Sequence, residues 1–214
     1  MSSRQVVLWR HGRTAWNLAG RVQGTSDIPL DDVGRQQARV AAEQLAMMRP
    51  ARVLSSDLSR ALETAQILGD LIGVEVETDV RFREMHFGAR EGLTWHEAWQ
   101  KFPEGLRAWV EGDETQIPGS ETHQQAGERF AEGLREHLET GDDEVVVVVA
   151  HGGVLRAGAC AFLGFHLAQW HLFGGLNNCS WSVLEESRHE EWARWRITEW
   201  NADSLPRPIL SDDD

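Results

Sequence analysis

The sequence has almost no lysine: Lys101 is the one lysine among 21 basic residues. It follows Trp99-Gln100 and no glycine-rich loop, which excludes a phosphate-loop ATPase motif. Cationic chemistry therefore falls to arginine, whose planar fork suits bidentate contacts to phosphate or carboxylate. Cysteine is nearly as scarce. Cys160 and Cys179 are too few for a disulfide framework and lack metal-ligand spacing, so they read as reduced, buried thiols. Long apolar runs are missing too: the longest, Val145 to Ala150, is far short of a membrane span, and Met1 to Gln5 does not open a signal peptide. The expected compartment is the cytoplasm, with no membrane partner. Net positive charge is also absent. The formal charge is −13, with acid spread along the chain to Asp214, which excludes a broad nucleic-acid surface. Any anionic ligand must be captured by a local pocket.

What is present is a rhythm of short apolar strands and helical stripes. In a chain of 214 residues with 41% hydrophobic content, one large α/β domain is expected over 1–204, followed by a flexible acidic tail at 205–214. Val145 to Ala150, β-branched and apolar on both faces, predicts the centre of a parallel sheet. Val6 to Trp9 and Arg52 to Ser55 resemble it; Val74 to Thr78 and Trp181 to Leu184 alternate like edge strands, and Arg194 to Trp200 predicts a last strand. Helical spacing follows Asp31 (Ala38, Ala41, Ala42, Leu45), follows Asp57 (Leu58, Ala61, Leu62, Ala65, Leu68) and recurs at Ala126, Phe130, Leu134 and Leu138. Val154 to Leu163 predicts a short buried helix. The order points to a three-layer α/β/α sandwich with a mostly parallel central sheet. A small helical insertion at about 93–118, with Trp95, Trp99 and Trp109, interrupts the rhythm as a candidate lid.

Two central strands end alike, Leu8-Trp9-Arg10-His11-Gly12 and Val148-Val149-Ala150-His151-Gly152-Gly153. Side chains leaving the carboxyl ends of neighbouring parallel strands converge on one crevice, so His11 and His151 are expected to face each other. The glycine after each is expected to let backbone N–H groups approach a ligand. Ser55 to Ala61 places Arg60 in the first turn of a helix, where its guanidinium and the free amides can turn to an anion, and with Arg10 it forms a clamp. In Phe82 to Gly92, Glu84 has two readings: an acid whose environment lets it donate a proton, or a partner of Arg81 or Arg83.

These stretches are similar to the histidine phosphatase superfamily. Its R-H-G-x-T-x-x-N signature is matched by Arg10 to Asn17, followed by Gln23-Gly24; Ser55 to Ala61, Arg83 to Gly92 and Ala150 to Gly153 match further segments in the family's order. The resemblance implies that His11 is the nucleophile, that Arg10, Arg60 and His151 hold the phosphoryl oxygens, that Asn17 adds a neutral contact, and that Glu84 is the proton donor. Gln23, Gly24 and Gly152 join the substrate-binding set. It implies neither a metal nor another cofactor, a small-molecule phosphate ester as partner, and a phosphomonoesterase acting through phosphohistidine. Beside a permanent charge, the His11 ring is held neutral, because Arg10 and Arg60 disfavour its protonation.

Rival chemistries make different demands on the sequence. A phosphoglycerate mutase of this fold carries R-H-Y-G where this chain has Met85 to Gly88, and a basic insertion where this one has only Lys101 and Arg107. A phosphate-binding, non-catalytic module would be expected to lose His11 or Glu84 first. A metal site built on His11, His86, His151 and Glu84 would place two arginines against a cation. A cysteine phosphatase needs arginine six residues after cysteine, where His166 and Glu185 stand, and an aspartate phosphatase needs an Asp-x-Asp loop after a strand. Gly174 to Trp181, with Trp195-Arg196 and Trp200-Asn201, resembles the family branch that acts on glucosyl-3-phosphoglycerate, although that branch has G-G-E-S where this chain reads Gly119-Ser120-Glu121-Thr122. For a single tryptophan at helical spacing core packing is the default, and solvent is the default for Arg13 and Arg21. Phe162 to Phe173 is read either as a homodimer surface or as interior packing.

Overall fold

Strand order is set by which apolar runs can be buried on both faces. In the computed structural model, which describes residues 4–139, 145–187 and 194–203, six strands form one sheet. They are β1 (Gln5–Arg10), β2 (Arg52–Ser55), β3 (Val76–Thr78), β4 (Val145–Ala150), β5 (Trp181–Glu186) and β6 (Trp195–Ala202), in the order β3-β2-β4-β1-β5-β6. β3, β2, β4 and β1 run parallel, while β5 runs antiparallel to β1 and β6 antiparallel to β5. The all-valine β4 therefore sits inside the sheet, as its composition predicts. The acidic tail expected at 205–214 lies outside the described residues.

The helices are α1 (Ala15–Leu18), α2 (Asp32–Ala46), α3 (Ser59–Ile72), α4 (Trp95–Lys101), α5 (Pro103–Val110), α6 (His123–Glu139) and α7 (Gly152–Leu163). Because side chains alternate along a strand, β4 turns Val146, Val148 and Ala150 to one face and Val147 and Val149 to the other. The first face packs on Phe130 and Leu134 of α6 and on Val154 and Leu155 of α7. The second packs on Ala38, Ala41 and Leu45 of α2 and on Ala61, Ala65 and Leu68 of α3. This is the expected three-layer α/β/α sandwich. Each fully buried large side chain contributes roughly 1.5–3 kcal/mol. Gly158 lets α7 approach α6: a Cβ there would meet Phe130 at 2.2 Å.

One sheet expectation fails. β5 is not an edge but lies between β1 and β6. Its polar Ser182 is fully buried and its hydroxyl accepts the Asn201 N–H at 3.1 Å, so the alternation that looked like solvent exposure is polar contact with β6.

The insertion is helical. α4 begins with a capping box between Thr94 and Glu97, Pro103 occupies the first turn of α5, and Ala98, Leu106 and Ile117 form a small core of their own with Leu93 and Trp99. Among the described residues no helix is long and apolar enough to cross a membrane. Both cysteines are free and buried. Phe162 and Leu163 pack on the core, whereas Phe165 and Leu172 are exposed.

Candidate active site

Parallel pairing aligns Arg10 with Ala150, so the residues that follow, His11 and His151, leave the sheet side by side. Their ring centroids are 5.0 Å apart. His11 is 2% exposed, and its Nδ1 lies 2.7 Å from the Gly12 carbonyl. A carbonyl only accepts, which assigns the proton to Nδ1 and leaves a lone pair on Nε2, a nitrogen with no partner among the described residues. Burial first, and then the charges of Arg60 and Arg10, hold the pKa of His11 well below 6.5. Desolvation thus outranks the arginines that the sequence pointed to. Gly12 also serves another end than the one expected. A Cβ there would stand 2.4 Å from the Gly34 carbonyl oxygen, so glycine is needed for the start of α2 to close on the loop and not for ligand access.

His151 is fully buried, and of the expected site residues it alone does not line the cavity. Its Nδ1 accepts Nε–H of Arg60 at 3.2 Å, which puts its proton on Nε2, 2.9 Å from Ser56 Oγ. Burial, then Arg60, His11 and Arg10, keep its pKa well below 6.5. Arg60 donates further to the carbonyls of Ser26 at 2.8 Å and Gly24 at 2.7 Å. Burial draws its pKa to about 10, so it remains a cation at neutral pH. Arg10 donates to the Leu176 carbonyl at 2.5 Å, while its buried Nε has no acceptor among the described residues.

The loop under Arg60 is shaped by Glu91, which sequence reading did not single out. Its carboxylate accepts the backbone N–H groups of Thr25, Ser26 and Phe87, each at 3.1 Å. Gly24 has φ +56, and a Cβ on it would collide with Glu91 Oε1 at 2.1 Å. Glu91 therefore sets the carbonyls that aim Arg60.

Glu84 is paired with neither arginine considered for it. Arg83 holds Asp57, and Arg81 holds Asp79 and Glu136. Glu84 instead caps α7 from outside, accepting N–H of Gly153 at 3.0 Å, of Val154 at 2.8 Å and of its neighbour Met85 at 2.9 Å. Gly153 is required by the fit, since a Cβ would lie 2.7 Å from Glu84 Oε1. With the next two amides so used, the N–H of Gly152 is left at the positive end of the helix, in the cavity wall. Asn17 Oδ1 is held by the Thr14 capping box and by Asn178 Nδ2 at 3.2 Å, which leaves its Nδ2 for a ligand. Gln23 Oε1 accepts the Thr14 hydroxyl at 2.9 Å.

The cavity encloses about 370 Å³ and brings together Arg10, His11, Asn17, Gln23, Gly24, Arg60, Glu84 and Gly152. Sequence reading missed Arg90, Arg156 and His123, which also line it. Trp95 and Trp109 stand in its wall, contrary to the default of core packing, whereas Trp99 follows that default. Arg21 is not simply solvated: it lines the cavity and pairs with Glu97 at 2.8 Å. Arg13 is held by Asp31 at 2.8 Å. His86 is half exposed outside the cavity, so the four-residue metal set is not assembled. Ser120, in place of the branch's glycine, donates its hydroxyl to the Phe87 carbonyl at 3.0 Å and so braces a wall residue.

Two buried neutral rings make stability depend on acid. Below 6.5 the unfolded chain takes up protons that native His11 and His151 refuse, so stability falls as pH drops from there toward the depressed native values. The slope reaches about 1.4 kcal/mol per pH unit for each ring. Unfolding midpoints between pH 7 and pH 5 are expected to fall less steeply in His11→Ala than in the native protein; parallel slopes would contradict a neutral buried His11.

An electropositive crevice at the carboxyl ends of parallel strands, with an unprotonated imidazole and a carboxyl group inside it, suits transfer of a phosphoryl group from a phosphate monoester. The family model of the histidine phosphatase superfamily (branch 1) matches residues 6–203. A glucosyl-3-phosphoglycerate phosphatase of Mycolicibacterium vanbaalenii is 37% identical, with 94% of this chain and 96% of the relative covered. A metal-independent phosphoserine phosphatase of Arabidopsis thaliana is 36% identical over 92% of this chain and 81% of its own. Among solved structures, a mycobacterial glucosyl-3-phosphoglycerate phosphatase in complex with VO3 superimposes with a TM-score of 0.85, at 38% identity, covering 94% of this chain and 100% of the other. The chain belongs to the histidine phosphatase superfamily. It is a phosphoric monoester hydrolase acting on small phosphate esters.

Proposed function

We propose that the protein cleaves its ester by double displacement through a phosphohistidine on His11, and that glucosyl-3-phosphoglycerate or a related sugar or glycerate phosphate is the substrate. The observation that carries the mechanism is the 2.7 Å contact between His11 Nδ1 and the Gly12 carbonyl, because it leaves Nε2 with a lone pair. In the first step Nε2 bonds to phosphorus while the ester P–O bond breaks, and Glu84, as the acid, gives its proton to the departing alkoxide oxygen. In the second, Glu84 as carboxylate takes a proton from water, whose oxygen bonds to phosphorus as the P–N bond breaks, releasing inorganic phosphate. Arg10, Arg60, the Gly152 amide and Asn17 Nδ2 are the donors for the equatorial oxygens, in place before the reaction starts. His151 acts here through Arg60, whose Nε it accepts, and through its contact with His11.

The substrate reading is supported by the printed activities of the relatives and by an aromatic wall, Phe87, Trp95 and Trp109, of the kind that stacks a sugar ring. The test is to quench turnover in base and search by mass spectrometry for an acid-labile, base-stable phosphoryl group on His11. Steady hydrolysis with inversion at a chiral phosphorus, and no adduct, would overturn the covalent route.

A further inference from the structure

The cavity wall holds more arginines than the phosphoryl contacts use. Beyond Arg10 and Arg60, Arg90 and Arg156 enter the same wall. Arg90 is 4% exposed, and its guanidinium has no hydrogen-bond acceptor or ion-pair partner among the described residues; its Nε is buried and unpartnered. It lies 5.1 Å from the Phe87 ring and 5.4 Å from the Trp109 ring. Those contacts hold the guanidinium against two rings without engaging its donors. Glu114 is the carboxylate whose charge reaches Arg90, yet Glu114 is engaged by His123, through its ring Nδ1 and through its backbone N–H at 2.6 Å. Arg156 lies over Trp170 at 4.2 Å and, among the described residues, makes one long bond to the Phe173 carbonyl at 3.3 Å and has a buried Nε without an acceptor.

A buried guanidinium without acceptors is costly, and the groups around a ligand site are where such a deficit can be made good by the ligand. With Arg21 neutralised by Glu97, the wall sets Arg10, Arg60, Arg90 and Arg156 against one acid, Glu84. Arg90 keeps its donors unengaged in that wall, and the two oxygens of a carboxylate match the donor fork of an arginine. We propose that Arg90, backed by Arg156, forms a carboxylate-recognising subsite, so that the enzyme selects phosphate monoesters that bear a carboxylate on the same carbon skeleton. The inference rests on the phosphatase reading above and adds the residue that distinguishes one ester from another.

The test compares kcat/KM for 3-phosphoglycerate and glycerol 3-phosphate, which differ by a carboxylate against a hydroxymethyl group, in the full-length protein and in Arg90→Met. The native enzyme is expected to favour the carboxylate-bearing ester by about tenfold or more, the value of one charge-assisted bond pair. In Arg90→Met that preference is expected to collapse to within about twofold, by the same bond's loss. Should the variant fail to fold, Kd values of both esters for His11→Ala carry the comparison, and the carboxylate-bearing ester must bind about tenfold tighter. Equal kcat/KM for the two esters in the native enzyme, or a preference that survives Arg90→Met, overturns the subsite while leaving the phosphatase chemistry standing. Hydrolysis of neither ester, with no phosphoryl adduct on His11, overturns the phosphatase reading and the subsite together.

Discussion

His11→Ala is expected to lower kcat by roughly 10³-fold or more, with a folded protein and with substrate affinity largely retained. The asymmetry follows from what the ring does and does not hold. Nε2 is the atom that bonds to phosphorus, so without it the reaction has no first step. The donors that would bind the ester, Arg10, Arg60 and the Gly152 amide, are anchored elsewhere, to Leu176, to Gly24 and Ser26, and to the start of α7. A neutral ring removed from between two cations also leaves no unpaired charge behind. Phosphate release measured beside direct substrate binding separates the two effects, and a variant with native turnover would end the covalent proposal.

Glu84→Gln is expected to cost 10²- to 10⁴-fold, and the loss should depend on the leaving group. An alkyl ester departs as a strongly basic alkoxide and needs a proton, whereas a nitrophenyl ester departs as a weakly basic anion without one. The variant should therefore lose far more activity toward alkyl phosphates than toward the aryl ester. A structural penalty accompanies it. Glu84 accepts three N–H groups with two oxygens, one facing Gly153 and the other facing Met85 and Val154. An amide turns a donor toward one of these sets, at a cost of about 1–3 kcal/mol. Equal loss on both esters, with an unchanged unfolding midpoint, would remove Glu84 from the proton path.

The elements readable in the sequence were those dictated by a single local rule. Val145 to Ala150 has one comfortable location, inside a sheet, and Arg60 in the first turn of α3 follows from the Ser55 to Ala61 segment. The pairing of His11 with His151 follows from two strands ending alike. Elsewhere the deciding contact lies far along the chain. Ser182 looks solvent-facing until β6 supplies a backbone N–H for it. Gly12 looks like a ligand-facing glycine until Gly34 is brought against it. Arg90 and Arg156 are single arginines in unremarkable surroundings, and only the packing of Phe87, Trp109 and Trp170 turns them toward the cavity. Glu84 had local arginines in reach, but its acceptors were claimed by the amides of a helix nearly seventy residues away.

The Glu91 carboxylate stands between the loop that aims Arg60 and the segment that carries the aromatic wall. It welds the loop at 24–26 to Phe87, while the residues that follow it supply the tryptophans of the far wall. Changes at Trp95 or Trp109 are thereby insulated from the reacting atoms. Relatives can diverge in diet while sharing one mouth, and a designer seeking a new ester should vary the far wall at Arg90, Trp95 and Trp109 and leave Glu91 and the loop at 24–26 alone.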